Sequence, residues 1–162
     1  MDRTWLAAIV IAFLFVLLGL MVFGWQRRQR RQADVVAPQP APDSLGTILG
    51  SFVGKYVATT RAGDPLDRIA VHGLGFRGSI EVTVSDVGLL LERAGSPAIW
   101  IPRSDVRDMR RATWTIDRVV EPDGMHLVEW TLGDTIVDTY LRMDDGAAFD
   151  GALSSLTEGK RS

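Results

Sequence analysis

The sequence predicts a single N-terminal transmembrane helix followed by a mainly β domain that ends in one helix. Three observations support this prediction. An apolar run without charged side chains occupies residues 5–25, alternation with a period of two dominates from about Phe52 onward, and apolar residues recur at helical spacing near the C-terminus. The chain of 162 residues has room for one such domain and its anchor.

The apolar run of residues 5–25 is predicted to cross the membrane once. Its 21 residues form a helix about 32 Å long, close to the thickness of the hydrocarbon core of a bilayer. Trp5 and Trp25 stand at its two ends, where indole rings settle at the headgroup level. A cleaved signal peptide is the alternative, but its apolar core is shorter, about 7 to 15 residues, and follows its positive charge.

Four arginines follow the apolar run and predict its orientation. They are Arg27, Arg28, Arg30 and Arg31. By the positive-inside rule this flank stays in the cytoplasm. We therefore expect residues 1–4 outside the cell and the β domain at the cytoplasmic face of the plasma membrane. The same arginines are candidates for contact with anionic lipid headgroups, although a topology signal alone would account for them.

The segment between the helix and the domain, residues 26–43, is predicted to be an arginine-rich juxtamembrane stretch followed by a spacer. Its second half has three prolines in five positions, Pro38, Pro40 and Pro42. Alternating prolines favour extended polyproline II, which makes a semi-rigid spacer. The domain is then predicted to cover residues 44–157, with a short tail over residues 158–162.

Composition excludes several function classes. Five of the 18 basic residues and two of the 20 acidic residues precede Asp43, which leaves 13 basic and 18 acidic residues from Asp43 onward. An acidic domain lacks the basic footprint of nucleic-acid binding. The chain has no cysteine, and His72 and His126 have no second ligand at metal spacing. We therefore expect no nucleic-acid partner, no metal and no cofactor.

Short alternating segments predict seven antiparallel strands. In the clearest of them, Ile80, Val82 and Val84 face one way, while Glu81 and Thr83 face the other. Turns rich in Gly, Asp and Pro separate the segments. The predicted strands cover residues 52–60, 79–85, 89–93, 98–101, 114–121, 126–132 and 135–141.

One amphipathic helix is predicted after the last strand. Phe149, Leu153 and Leu156 recur at helical spacing, and Asp144 and Asp145 precede them, where a helix N-terminus favours negative charge. Seven antiparallel strands that form a barrel or sandwich and are followed by one helix are the order of a pleckstrin-homology-like (PH-like) domain. A generic sandwich with a packed tail helix is the alternative.

Several short motifs in the chain carry a resemblance to a known family. They are Gly75-Phe76-Arg77-Gly78, Trp100-Ile101-Pro102, Arg118-Val119-Val120-Glu121, Trp130-Thr131-Leu132-Gly133-Asp134, and Asp138-Thr139 with Arg142. Together they resemble small actinobacterial single-pass membrane proteins with a bacterial PH-like domain. The resemblance covers nearly the whole chain and implies an N-terminal helix but no assigned reaction and no catalytic residues. Some members of that family carry transporter or export labels.

The sequence shows no assembled catalytic motif. The segment Gly73-x-Gly75-x-x-Gly78 matches a dinucleotide fingerprint, but Gly78 opens an alternating strand rather than a helix, so we predict an inter-strand loop. No Gly-x-Ser-x-Gly elbow occurs. His126 has the same parity as Val128 and Trp130, which favours a packed histidine over a catalytic base. We therefore expect a protein that is not an enzyme.

Two groups of arginines are candidate binding surfaces. The first lies around the first inter-strand loop, where lipid-binding PH domains hold inositol phosphates, although acidic residues lie between its members. This group comprises Arg61, Arg68 and Arg77. The second group is either an exposed face of mixed charge or a docking surface for an acidic partner. This group comprises Arg103, Arg107, Arg110 and Arg111.

These observations support three hypotheses about function. The leading one is a non-enzymatic, membrane-anchored module that binds a protein partner at the cytoplasmic face of the plasma membrane. The second is an accessory subunit of a transport or export complex, since one helix is too few to form a transport path alone. The third is binding of anionic lipid headgroups. The lipid bilayer and a protein are thus the expected partners, and a small-molecule ligand is not expected.

Overall fold

The computed structural model describes residues 3–32, 34–112 and 124–158 of the chain. These residues form two compact units, Met1–Asp34 and Val35–Ser162. The first unit consists of helix α1, Arg3–Arg31. Its segment Trp5–Arg27 is long and apolar enough to cross a membrane, and its side chains are exposed rather than packed in a protein core. The described part of the chain therefore has a single candidate membrane-spanning helix.

The second unit, the β domain, contains eight described antiparallel strands and a C-terminal helix. The strand order is β5-β4-β3-β1-β8-β7-β6, and β2 pairs with β1 off this path. The sheet folds over into an open sandwich. The elements are β1 Ile48–Arg61, β2 Asp64–Arg68, β3 Gly78–Ser85, β4 Gly88–Glu92, β5 Ile99–Pro102, β6 Val106–Ala112, β7 Met125–Leu132, β8 Thr135–Met143 and α2 Gly146–Glu158.

Strand β1 belongs to both halves of the sheet. Its first part pairs with β3, its second part pairs with β8, and the register shifts between Tyr56 and Ala58. Gly54 lies where the two pairings overlap, opposite Ile80 in β3 and Met143 in β8. The β8 backbone comes so close that a side chain at Gly54 would collide with it. Glycine at this position is therefore a packing requirement.

Helix α2 closes one side of the core. Phe149, Leu153 and Leu156 are buried on its inner stripe, as the helical spacing predicts. Asp145 Oδ1 accepts a hydrogen bond from the Ala148 N–H at 3.0 Å, which satisfies a free donor of the first helical turn. The predicted capping role of this acidic pair is thus confirmed for Asp145.

A hydrogen-bonded polar chain crosses the core. The Trp130 indole N–H donates to Thr139 Oγ1 at 2.9 Å, and the same oxygen lies 2.9 Å from Thr59 Oγ1. The Thr59 hydroxyl also bonds the Tyr56 hydroxyl, which donates to the Leu74 carbonyl at 2.9 Å. Every member is buried, so these bonds fix the mutual positions of β1, β7, β8 and the loop before β3.

The predicted fold class is confirmed, and the strand count differs. Strands β2 and β6 were not predicted, because β2 begins Asp64-Pro65 and β6 has only two apolar side chains among its first six residues. The predicted strand at residues 114–121 lies outside the described residues. The compact unit starts at Val35, earlier than the predicted residue 44, since Val35 is buried and Gln39 bridges to Trp100.

Candidate functional site

A pocket of about 610 Å³ lies at strands β1, β2, β3 and β8 of the β domain. We call it the basic pocket. Of the described residues that line it, four are basic and none is acidic. The basic residues are Lys55, Arg68, Arg77 and Arg142.

The sheet register places like charges side by side in the basic pocket. Lys55 in β1 lies directly opposite Arg142 in β8, and both side chains are exposed. Like charges in directly opposed positions destabilise a sheet. Among the described residues, no carboxylate forms an ion pair with Lys55, Arg77 or Arg142. The pocket therefore offers positive charge that an anionic ligand would neutralise.

Two exposed apolar side chains are next in sequence to residues that line the basic pocket. Leu66 in β2 is 80 % exposed and Phe76, which precedes Arg77, is 68 % exposed. Pro65, which precedes Leu66, is one of the residues that line the pocket. Large apolar side chains next to basic ones are typical of surfaces that contact lipid headgroups and the outer part of the acyl chains.

Hydrogen bonds from Arg93 hold the loop that carries Phe76 and Arg77. The buried guanidinium donates to the carbonyls of Phe76 and Gly73, each at 2.8 Å, and lies 4.3 Å from the centre of the Tyr56 ring. His72 stands in the left-handed region at φ 54°, and its Nε2 lies 2.7 Å from the Val35 carbonyl oxygen. The glycine-rich segment is therefore an inter-strand loop, and the hydrogen bonds from Arg93 fix its position.

The basic pocket contains part of the first predicted group of arginines. Arg68 and Arg77 line it, and Arg68 Nη2 donates to the Val57 carbonyl at 3.0 Å. Arg61 does not line it, and its guanidinium pairs with Asp67 at 3.1 Å. Lys55 and Arg142 were missed, because only the pairing of β1 with β8 brings these distant residues together.

The second predicted group lines a separate groove between β6 and α2, with a volume of about 520 Å³. We call it the arginine groove. It brings together all four members, Arg103, Arg107, Arg110 and Arg111. Three of them pair with acidic side chains: Arg110 Nη1 lies 2.5 Å from Asp108, Arg107 lies 3.5 Å from Glu129, and Arg111 pairs with Asp150. The hydrogen bond to Asp108 raises the pKa of Arg110 above its ordinary value, which favours the charged guanidinium.

His126 lies at the inner end of the arginine groove. Its buried ring stacks edge-on against Phe149 at 5.0 Å, and its Nε2 lies 3.0 Å from Asp150 Oδ1. Arg111 holds the other oxygen of Asp150 at 2.8 Å and 2.5 Å. Neither ring nitrogen has an aligned hydrogen-bond partner among the described residues. The His126 side chain is thus buried and packed against Phe149, as its strand parity predicts.

Asp138 is a buried acid in the outer face of the sheet. It lies opposite Thr60 in β1 and Glu129 in β7. Burial raises the pKa of Asp138, Glu129 raises it further, and a hydrogen bond from the Gly63 N–H at 3.4 Å opposes these effects. Its Oδ1 is buried and has no hydrogen-bond partner among the described residues. Together these effects raise the pKa of Asp138 above its ordinary value, so the folded domain holds the proton more strongly than the unfolded chain does.

We expect Asp138→Asn to raise the free energy of unfolding at pH 7 by about 1 kcal/mol, because the amide removes a poorly satisfied buried charge. The sign follows from the raised pKa: the folded state loses stability as the pH rises from about 4 through the pKa of Asp138. The gain should disappear below about pH 4. Urea unfolding across this range measures it, and a constant gain at every pH would contradict the explanation. The control is Asp43→Asn, which makes the same change at an exposed carboxylate.

The remaining predicted site residues lie in the first unit. Trp5 and Trp25 are exposed near the two ends of the apolar segment, and Arg27 is exposed at its end. The side chains of Arg28, Arg30 and Arg31 lie outside the described set. No group of three or more His, Asp or Glu side chains within the described residues could hold a metal ion.

An open antiparallel sandwich with a C-terminal helix, in which arginines line two cavities, is consistent with a PH-like fold. The family described as Bacterial PH domain-like matches residues 35–157, and the chain belongs to this family. PH-like domains are in general non-catalytic and often bind lipids or proteins. A comparison with curated proteins finds no match.

Proposed function

We propose that the chain is a membrane-anchored, non-catalytic module whose β domain binds anionic lipid headgroups through the basic pocket. The observation that carries this proposal is the set of four basic side chains around one cavity, with no carboxylate among the described residues that line it. A basic side chain near an anionic membrane surface contributes about 1 kcal/mol of binding free energy. Exposed Leu66 and Phe76 would add apolar contact with the bilayer.

If the N-terminal helix anchors the domain, weak binding of a headgroup is sufficient to keep the basic pocket occupied. A domain tethered to the bilayer meets headgroups at a high effective concentration, so even a weak pocket is occupied. We further propose that helix α1 stays uncleaved and that the arginines at its end keep the β domain at the cytoplasmic face of the plasma membrane. Inner-leaflet lipids, which include anionic ones, would then be the ligands.

The test uses the absence of native cysteine. Ser79 is exposed and lines the basic pocket. Full-length Ser79→Cys, labelled with a polarity-sensitive dye, is reconstituted in nanodiscs of phosphatidylcholine with or without phosphatidylglycerol. We expect a blue shift only in the anionic discs, and Lys55→Ala with Arg142→Ala should abolish it. Arg107→Ala removes an arginine that does not line the pocket and should leave the shift unchanged.

Two results would contradict headgroup binding: an equal shift in neutral discs, or a shift that survives the loss of Lys55 and Arg142. Inorganic phosphate added to the anionic discs separates a phosphate site from a general surface attraction. The same labelled position reports orientation in cells. A membrane-impermeant maleimide should modify Ser79→Cys only after lysis, and modification in intact cells would place the domain outside.

A further inference from the structure

We infer that the arginine groove docks an acidic, extended segment of a partner protein. This inference goes beyond headgroup binding, because the groove lies between β6 and α2 and none of the described residues lines both it and the basic pocket. The two surfaces therefore serve two different ligands in one anchored module.

The first support is an unsatisfied donor on Arg103, a residue that lines the groove. Arg103 Nη1 donates to the Asp86 carbonyl at 3.2 Å, but its Nη2 is buried without a hydrogen-bond partner among the described residues. A buried guanidinium nitrogen left without an acceptor is costly, and a carboxylate is the acceptor that matches its geometry best. A ligand carboxylate in the groove would complete the hydrogen bonding of Arg103.

The second support is charge complementarity. Among the described residues, four arginines line the groove against two carboxylates, Asp108 and Asp150, and Glu129 pairs with Arg107 and Arg110 from outside the lining, which leaves a positive balance of one charge. The chain from Asp43 onward has the opposite balance, with 13 basic and 18 acidic residues. A positive groove in an acidic domain attracts a short acidic segment and repels an extended polyanion such as a nucleic acid.

The third support is shape. Strand β6 ends the strand order of the described sheet, and α2 runs beside it, so the groove has a strand for one wall and a helix for the other. Half-buried Met109 offers an apolar contact, while Ser154 and Thr157 offer hydroxyls. Recessed grooves of this kind take extended peptides. The groove lacks exposed side chains like Leu66 and Phe76, which favours a peptide over a bilayer surface.

The test compares two neighbouring serines of α2. Ser154 lines the groove and Ser155 does not, although both are exposed and each hydroxyl donates to the carbonyl four residues earlier. Full-length protein in phosphatidylcholine nanodiscs is titrated with a fluorescent peptide of alternating Glu and Leu, and anisotropy reports binding. We expect Ser154→Glu to weaken binding about tenfold through like-charge repulsion, and Ser155→Glu to leave it unchanged.

Arginine variants then identify the contacts. Arg103→Ala is expected to weaken peptide binding about tenfold, the usual effect of one lost charge-assisted hydrogen bond, and exposed Arg107→Ala gives a second reading if Arg103→Ala unfolds. Arg142→Ala should leave peptide binding intact. Equal binding of a Lys-Leu peptide, or equal loss in the two serine variants, would overturn the inference. Headgroup binding is measured separately at Ser79→Cys, so either proposal can fail alone.

Discussion

Replacing Gly54 with alanine is expected to destabilise the β domain by about 3 kcal/mol, the upper range for an overpacked core. The new Cβ would collide with the Arg142 carbonyl oxygen and lie 2.8 Å from the Met143 Cα atom. Both are backbone atoms of β8, so no side-chain rotation relieves the contact. Urea unfolding of the full-length protein in detergent, followed by circular dichroism, measures the loss.

Gly78→Ala is the matched control for this prediction. Gly78 is also a strand glycine paired with β1, opposite Tyr56, but a Cβ there meets nothing within 4 Å. Its replacement should change the free energy of unfolding by no more than about 0.5 kcal/mol. Equal effects of the two alanines would show that the contact with the β8 backbone does not determine the cost at Gly54.

Trp130→Ala is expected to cost about 3 to 5 kcal/mol, the range for removing a large aromatic side chain from a core. The Trp130 side chain is among the largest that are fully buried in the described residues. Its loss would also leave Thr139 Oγ1 without the indole donor. Because small domains are stable by about 5 to 15 kcal/mol, this variant should lose most of its cooperative unfolding transition.

Thr139→Val separates packing from hydrogen bonding in the Trp130 site. The isosteric valine keeps the volume but removes the acceptor of the indole N–H and the partner of Thr59. We expect a cost of about 1 to 3 kcal/mol, smaller than that of Trp130→Ala. A Thr139→Val cost as large as that of Trp130→Ala would mean that the polar chain, rather than the volume of the indole, dominates.

Local patterns were sufficient to predict most of the fold. The alternation of Ile80, Val82 and Val84 marks β3, and all three side chains are buried. Phe149, Leu153 and Leu156 mark α2 by the same reasoning with a helical period. These patterns are visible because burial on one face of a strand or helix repeats at a fixed spacing along the sequence.

The candidate sites depend on long-range contacts that have no local pattern. Lys55 and Arg142 become neighbours only through the pairing of β1 with β8. Arg93 looks like an ordinary charged residue at a strand end, yet it is buried beneath the glycine-rich loop. In contrast, the arginines of β6 are close in sequence, so their grouping was predictable while the groove they share with α2 was not.

The double pairing of β1 also determines when the domain can fold during synthesis. Tyr56 of β1 pairs with Leu141 of β8, so the sheet stays incomplete until β8 has left the ribosome. Long-range pairing of this kind slows folding and leaves strand edges exposed in the meantime. Until then the edge of β1 that will pair with β8 has no partner, and the nascent domain is most prone to aggregate through that edge.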